Sequence, residues 1–90
     1  MTNVNVTAGR VAELGGASNT GLKLGFIDSA AKAAADDTWT VKNAKEVIWC
    51  VVTVDANGIV DASTSNTLAT NVITLTGAST GAHSAFVIFK

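Results

Sequence analysis

Five sets of residues in this 90-residue chain hold side chains that do chemistry in other proteins. Asp55-Ala56-Asn57-Gly58-Ile59-Val60-Asp61 has the acid and amide spacing of a short calcium loop. A helix–loop–helix calcium site, however, needs Gly at the sixth position and a carboxylate at the twelfth, between helices. Here Gly comes fourth and the flanking residues are β-formers, so Asn57-Gly58 reads as a hairpin turn. His83-Ser84, with Asp residues elsewhere, offers the side-chain types of a serine hydrolase, but no nucleophile elbow surrounds Ser84. His83 reads as an early residue of the last strand. Cys50 lies between Trp49 and Val51 with no basic neighbour to stabilise a thiolate, so it reads as a small buried hydrophobe. Trp39 and Trp49 read as core anchors, or as a sugar-stacking platform if both are exposed. Asn5-Val6-Thr7 fits a glycosylation sequon, without a secretion signal to make it meaningful.

One cysteine cannot close an internal disulfide, and one cysteine with one histidine cannot complete a four-ligand zinc site. Neither a catalytic centre nor a metal or cofactor site is expected, and the chain is not expected to be an enzyme. A net charge of −1 leaves no clustered Lys and Arg for nucleic-acid phosphates. No apolar run approaches the ~18 residues of a membrane helix. Hydrophobic residues make up 48% and charged residues only 14%, the reverse of a disordered composition. The polar positions are mostly Thr, Asn and Ser, whose groups can be covered by a neighbour at lower cost than ions. Such a surface suits a chain packed beside other subunits.

The elements that must position these residues are short strands. Thr2–Thr7 alternates, with Val4 and Val6 on one side, as a strand or an extended N-terminal arm (residues 1–8) able to add to a neighbour's sheet. Arg10–Leu14 could continue it, before a loop at Gly15–Asn19. Thr20–Asp28 is a half-buried strand with Leu22, Leu24 and Phe26 on one face and Lys23 and Gly25 opposite. The Ala-rich run after it favours helix by propensity but is too short and too poor in large apolar residues. A loop with at most one helical turn near residues 29–35 is expected. Thr38–Lys42, Glu46–Asp55, Ile59–Ser63, Asn71–Thr76 and His83–Lys90 follow as strands, with a turn at Ser65-Asn66. The chain is therefore read as one all-β domain spanning 1–90, a small antiparallel sandwich or barrel of six to eight short strands.

Two of those strands are apolar on both faces. Val47, Trp49, Val51 and Thr53 alternate with Ile48, Cys50, Val52 and Val54; Ala85 and Val87 alternate with Phe86 and Ile88. A sandwich strand needs only one apolar face. The surplus marks Val4, Val6, Ile48, Cys50, Val52, Val54, Phe86 and Ile88 as candidate interface residues, with a homo-oligomer as the expected state.

The runs Ala34-Ala35-Asp36-Asp37-Thr38-Trp39-Thr40-Val41, Val47-Ile48-Trp49-Cys50-Val51-Val52, Asp55-Ala56-Asn57-Gly58, Val72-Ile73-Thr74-Leu75 and Ala85-Phe86-Val87-Ile88-Phe89 resemble small β proteins of tailed bacteriophage heads. The resemblance covers roughly residues 20–90 and carries over no catalytic or cofactor residue. It implies a virion structural protein made in the bacterial host cytoplasm and placed on the capsid surface. The implied role is capsid decoration (cement), with the major capsid protein, further copies of the chain, or both as partners. This chain lacks the long proline-bearing arm that some decoration proteins use. Two other functions fit the composition: a small carbohydrate- or ligand-binding β module, and a tail, fibre or surface assembly subunit.

Overall fold

The computed structural model describes residues 2–14, 21–60 and 67–90. These residues form eight strands: β1 (Asn3–Val6), β2 (Gly9–Glu13), β3 (Lys23–Lys32), β4 (Asp37–Val41), β5 (Val47–Val54), β6 (Thr67–Ala69), β7 (Val72–Leu75) and β8 (Gly81–Phe89). They make two four-stranded sheets, in the orders β1-β4-β7-β6 and β2-β3-β8-β5. Every pairing is antiparallel except β1 with β4. The architecture is the all-β, sandwich-like fold that the alternation indicates. The loop expected at Gly15–Asn19, the turn at Ser65-Asn66 and the last three residues of the strand expected at Ile59–Ser63 lie outside the described residues; of that strand's described part, Val60 forms only an isolated antiparallel bridge with Thr53.

Laterally paired residues share a face, so the registers show which way each strand looks. In the first sheet Val4, Trp39, Ile73 and Leu68 form one inward row, with Val6 and Val41 beside it. In the second sheet Cys50, Val87 and Gly25 form one inward row, and Val52, Ala85 and Ile27 the next. Trp39, Val41, Ile73, Leu75 and Val87 are completely shielded from water. The buried Trp39 indole donates through Nε1 to the Ala31 carbonyl at 2.9 Å, so its one polar atom is satisfied.

The N-terminal segment belongs to the chain's own sheet. Asn3–Val6 runs parallel to β4, and Val6 is buried in the core. Thr2 N–H donates to the Asp37 carboxylate at 2.8 Å, and the Asn43 side chain both accepts from and donates to the Ala8 backbone. An arm free to complete a neighbour's sheet would leave Val4 and Val6 bare. Packing them at home removes that apolar surface from water.

The Ala-rich stretch is no helix. Strand β3 runs on to Lys32 through an irregularity between Ile27 and Ala30, where Ser29 takes a left-handed φ of 48°. A tight turn follows. Asp37 closes it by accepting from the Ala33 and Ala34 N–H groups at 2.7 and 3.1 Å. Alanine's helix propensity loses because strand pairing with β8 satisfies more backbone than an isolated turn can. Asp55-Ala56-Asn57-Gly58 is the hairpin turn its residues suggest. Gly58 has φ 70° and donates to the Val54 carbonyl at 2.7 Å, while the Asn57 side chain accepts from Ile59 N–H.

Candidate docking face

The two sheets turn different chemistry to the outside. The outer face of β1-β4-β7-β6 carries the rows Asn3, Thr38, Thr74, Thr67 and Asn5, Thr40, Val72, Ala69. Both Thr38 and Thr40 hydroxyls donate to Asn3 Oδ1, at 2.7 and 2.9 Å. That face is a network of neutral polar groups, comfortable in water.

The outer face of β2-β3-β8-β5 is apolar. Leu24, Ile88 and Trp49 stand side by side in one row, and Phe26, Phe86 and Val51 in the next. Trp49 keeps 47% of its surface in water and Phe86 51%. Phe26 and Phe86 make a tilted aromatic pair, ring centroids 5.0 Å apart at 53°. Three strands about 4.8 Å apart and five residues of about 3.4 Å each give roughly 250 Å² in plan, before side-chain relief. A cleft of about 180 Å³ lies within it, lined by Arg10, Leu24, Gly25, Phe26 and Phe86.

A shift of register puts Trp49 outside. Val47 pairs with Phe89, yet Trp49 pairs with Ile88, so β5 holds one extra residue between them. The bulge reverses the in–out parity: Val47 is buried, and beyond the bulge Val52 and Val54 are buried too. The eight expected interface residues are therefore divided. Val6, Val52 and Val54 lie in the interior, and Val4 and Cys50 pack against it. Their apolar character serves the chain's own core. Ile48, at the bulge, is 44% exposed; Phe86 is exposed and Ile88 half-buried on the outer face.

Simple alternation misses Trp49, Val51, Leu24, Phe26 and Arg10. One signal was available for β3. Gly25 lies opposite the Leu24/Phe26 face, and a Cβ built on it would stand 2.8 Å from Ala8 Cβ and 2.9 Å from Phe89 Cε1. The glycine face is thus the packed one, and it turns Leu24 and Phe26 outward.

At one end of the outer face three side chains close on each other. Ser29 and Ser84 hydroxyls each donate to an Asp55 oxygen at 2.6 Å, and Ser84 Oγ accepts from Ser29 N–H at 3.1 Å. The Ser29 hydroxyl foremost, then Ser84, holds the Asp55 carboxyl below its ordinary range. The Ser84 hydroxyl donates its hydrogen bond to the Asp55 carboxylate, not to an imidazole. The ring of buried His83, one residue earlier in the strand, lies on the other face with Nδ1 2.9 Å from the Gly81 carbonyl. This arrangement ties the β5 turn to β3 and β8; it does not build a histidine-activated nucleophile.

Trp39 is buried and Trp49 exposed, so the two tryptophans form no shared platform. Among the described residues no group of three His, Cys, Asp or Glu side chains is placed to hold a metal ion. No helix among them is long and apolar enough to cross a membrane.

Neither a protein family, nor a curated protein, nor a solved structure matches this chain.

Proposed function

We propose that this chain is a structural assembly subunit that docks through the outer face of β2-β3-β8-β5. The specific assembly is the tailed-phage head, with the chain acting as a capsid decoration protein on the major capsid protein. The observation that carries the docking reading is the half-exposed Phe86 and Trp49 in a row-on-row apolar face, opposite a sheet whose outside is mostly Thr and Asn, with only Val72 and Ala69 apolar in the paired rows. At roughly 250 Å² in plan, before the relief of its aromatic side chains, the patch approaches the ~300–600 Å² apolar patches that are often functional on monomers. The assignment to a capsid is supported by the sequence resemblance. The patch also has a suitable size: it is well below the ~800 Å² per partner of a standard stable complex. One copy would hold weakly, and an array of copies on a repeating shell would hold by number.

Co-sedimentation tests it directly. Purified chain is mixed with shells assembled from the major capsid protein encoded in the same genome. Saturable binding at a fixed ratio, lost in Phe86→Asp, is expected. Shells that pellet bare, or a genome with no major capsid protein, overturn the decoration role; tubes or fibres in negative stain would instead place the chain in a tail or surface structure.

A further inference from the structure

The cleft within the apolar face has one charged wall. Arg10 stands over the Phe26 ring, its guanidinium carbon 5.9 Å from the centroid. Among the described residues no carboxylate pairs with it. The backbone at Arg10 is also unusual: φ is 51°, in the left-handed region, at the point where the β2–β3 register shifts between Gly9 and Ala12. A bulge of this kind ordinarily puts glycine in the left-handed position. Here glycine precedes it and the strained position carries a long cationic side chain, which the bulge aims at the aromatic pair.

The cleft's size narrows what it can hold. At about 180 Å³ it is smaller than the ~300–1,000 Å³ of small-molecule sites. It matches a single large side chain. The walls of Phe26, Phe86 and Leu24 suit an apolar or aromatic group, and the exposed Arg10 guanidinium at the rim suits a carboxylate beside it.

We infer that the Arg10–Phe26–Phe86 cleft is a socket for a partner-protein segment that presents an aromatic side chain next to an acidic one. The inference rests on the docking reading above and names the chemistry of the partner's anchor. The anchoring ring enters the cleft and completes the Phe26–Phe86 cluster. Its neighbouring carboxylate meets the exposed Arg10 guanidinium, and this ion pair at the rim fixes the direction of the segment.

The test uses the full chain, labelled with ¹⁵N, and three capped hexapeptides that differ only in a central Phe-Asp, Phe-Asn or Phe-Lys pair. Amide shifts at Arg10, Phe26 and Phe86 report occupancy. The Phe-Asp peptide is expected to bind about two- to fivefold more tightly than Phe-Asn, as an exposed ion pair allows. Arg10→Gln should abolish that difference while Phe binding persists, and Arg10→Glu should prefer Phe-Lys. Unchanged thermal melting of both variants shows that the fold is intact. Equal binding of Phe-Asp and Phe-Asn, or shifts confined to other surfaces, overturns the inference. So do shifts at these residues that follow chain concentration without peptide, or that follow phosphatidylcholine vesicles, since a second copy or a lipid surface would then be the occupant. The two readings fail separately. Shell binding lost in Phe86→Asp but unchanged in Arg10→Glu removes the acidic anchor and leaves the docking face. Peptide discrimination with bare shells removes the capsid role and leaves the socket.

Discussion

Phe86 and Phe26 face each other across β8 and β3 with ring centroids 5.0 Å apart, and both rings point away from the core. Val87, the next residue along, is completely buried. One strand thus serves two apolar surfaces: its Ala85, Val87 and Phe89 side holds the sandwich together, and its Phe86 and Ile88 side looks outward.

Separate surfaces mean separable phenotypes. Phe86→Asp is expected to lower unfolding free energy by about 1–2 kcal/mol, from its covered half and its pairing with Phe26, which is less than the ~3–5 kcal/mol of deleting a fully buried aromatic. Any association through the outer face should be lost. Urea denaturation beside sedimentation velocity reads both. A large loss of stability in Phe86→Asp would show that the ring supports the fold.

Gly25→Ala acts on the inner side of the neighbouring strand. The new methyl would lie 2.8 Å from Ala8 Cβ and 2.9 Å from the buried Phe89 ring, so the two elements must move apart. A loss of about 1–3 kcal/mol is expected in urea denaturation. Adding Ala8→Gly removes one of the clashing methyls. The double variant should be more stable than the sum of the single changes requires, a coupling that only a direct contact produces.

Asp37 links the first strand, the β3–β4 turn and strand β4 through one carboxylate. The Thr2 N–H, then the Ala33 N–H, lowers its affinity for protons; burial opposes them, and the Ala34 N–H adds to the lowering. A folded-state value below the unfolded one means that the native state binds fewer protons. The stability it contributes is therefore present above the unfolded carboxyl range, about pH 4, and drains away as pH falls through the lower folded value. Asp37→Asn should lower stability at pH 7 and flatten the pH dependence below about pH 4, as read from urea midpoints across that range. A variant with the wild-type pH profile would remove Asp37 from that role.

The two tryptophans should respond differently to a soluble quencher. Trp39 is fully shielded and Trp49 is 47% exposed. Iodide should quench one component of the emission of the folded chain, and Trp49→Phe should eliminate it. Trp39→Phe should leave the quenchable component and cost stability, since it removes buried volume and leaves the Ala31 carbonyl without its donor. Quenching that survives Trp49→Phe would contradict the outward direction of β5.

Local order supplied a good deal of this protein before any contact was known. The apolar runs at Glu46–Asp55 and His83–Lys90, the alternation of Thr38–Lys42, and Asn57-Gly58 as a reversal all depend on residues a few positions apart, and strands β4, β5 and β8 begin and end within two residues of where these patterns put them. Sequence also showed that β5 and β8 carry more apolar area than one core consumes. It could not assign the faces. Side-chain alternation has a period of two, so a single inserted residue between Val47 and Trp49 exchanges inside for outside along the rest of β5. That insertion is defined by Phe89 and Ile88 on a strand some forty residues later. The same holds for Asn3–Val6, captured by β4, and for Ala30–Lys32, drawn into β3 against local helix preference by pairing with β8. In each case the deciding partner is distant in the chain, and only the folded structure brings it alongside.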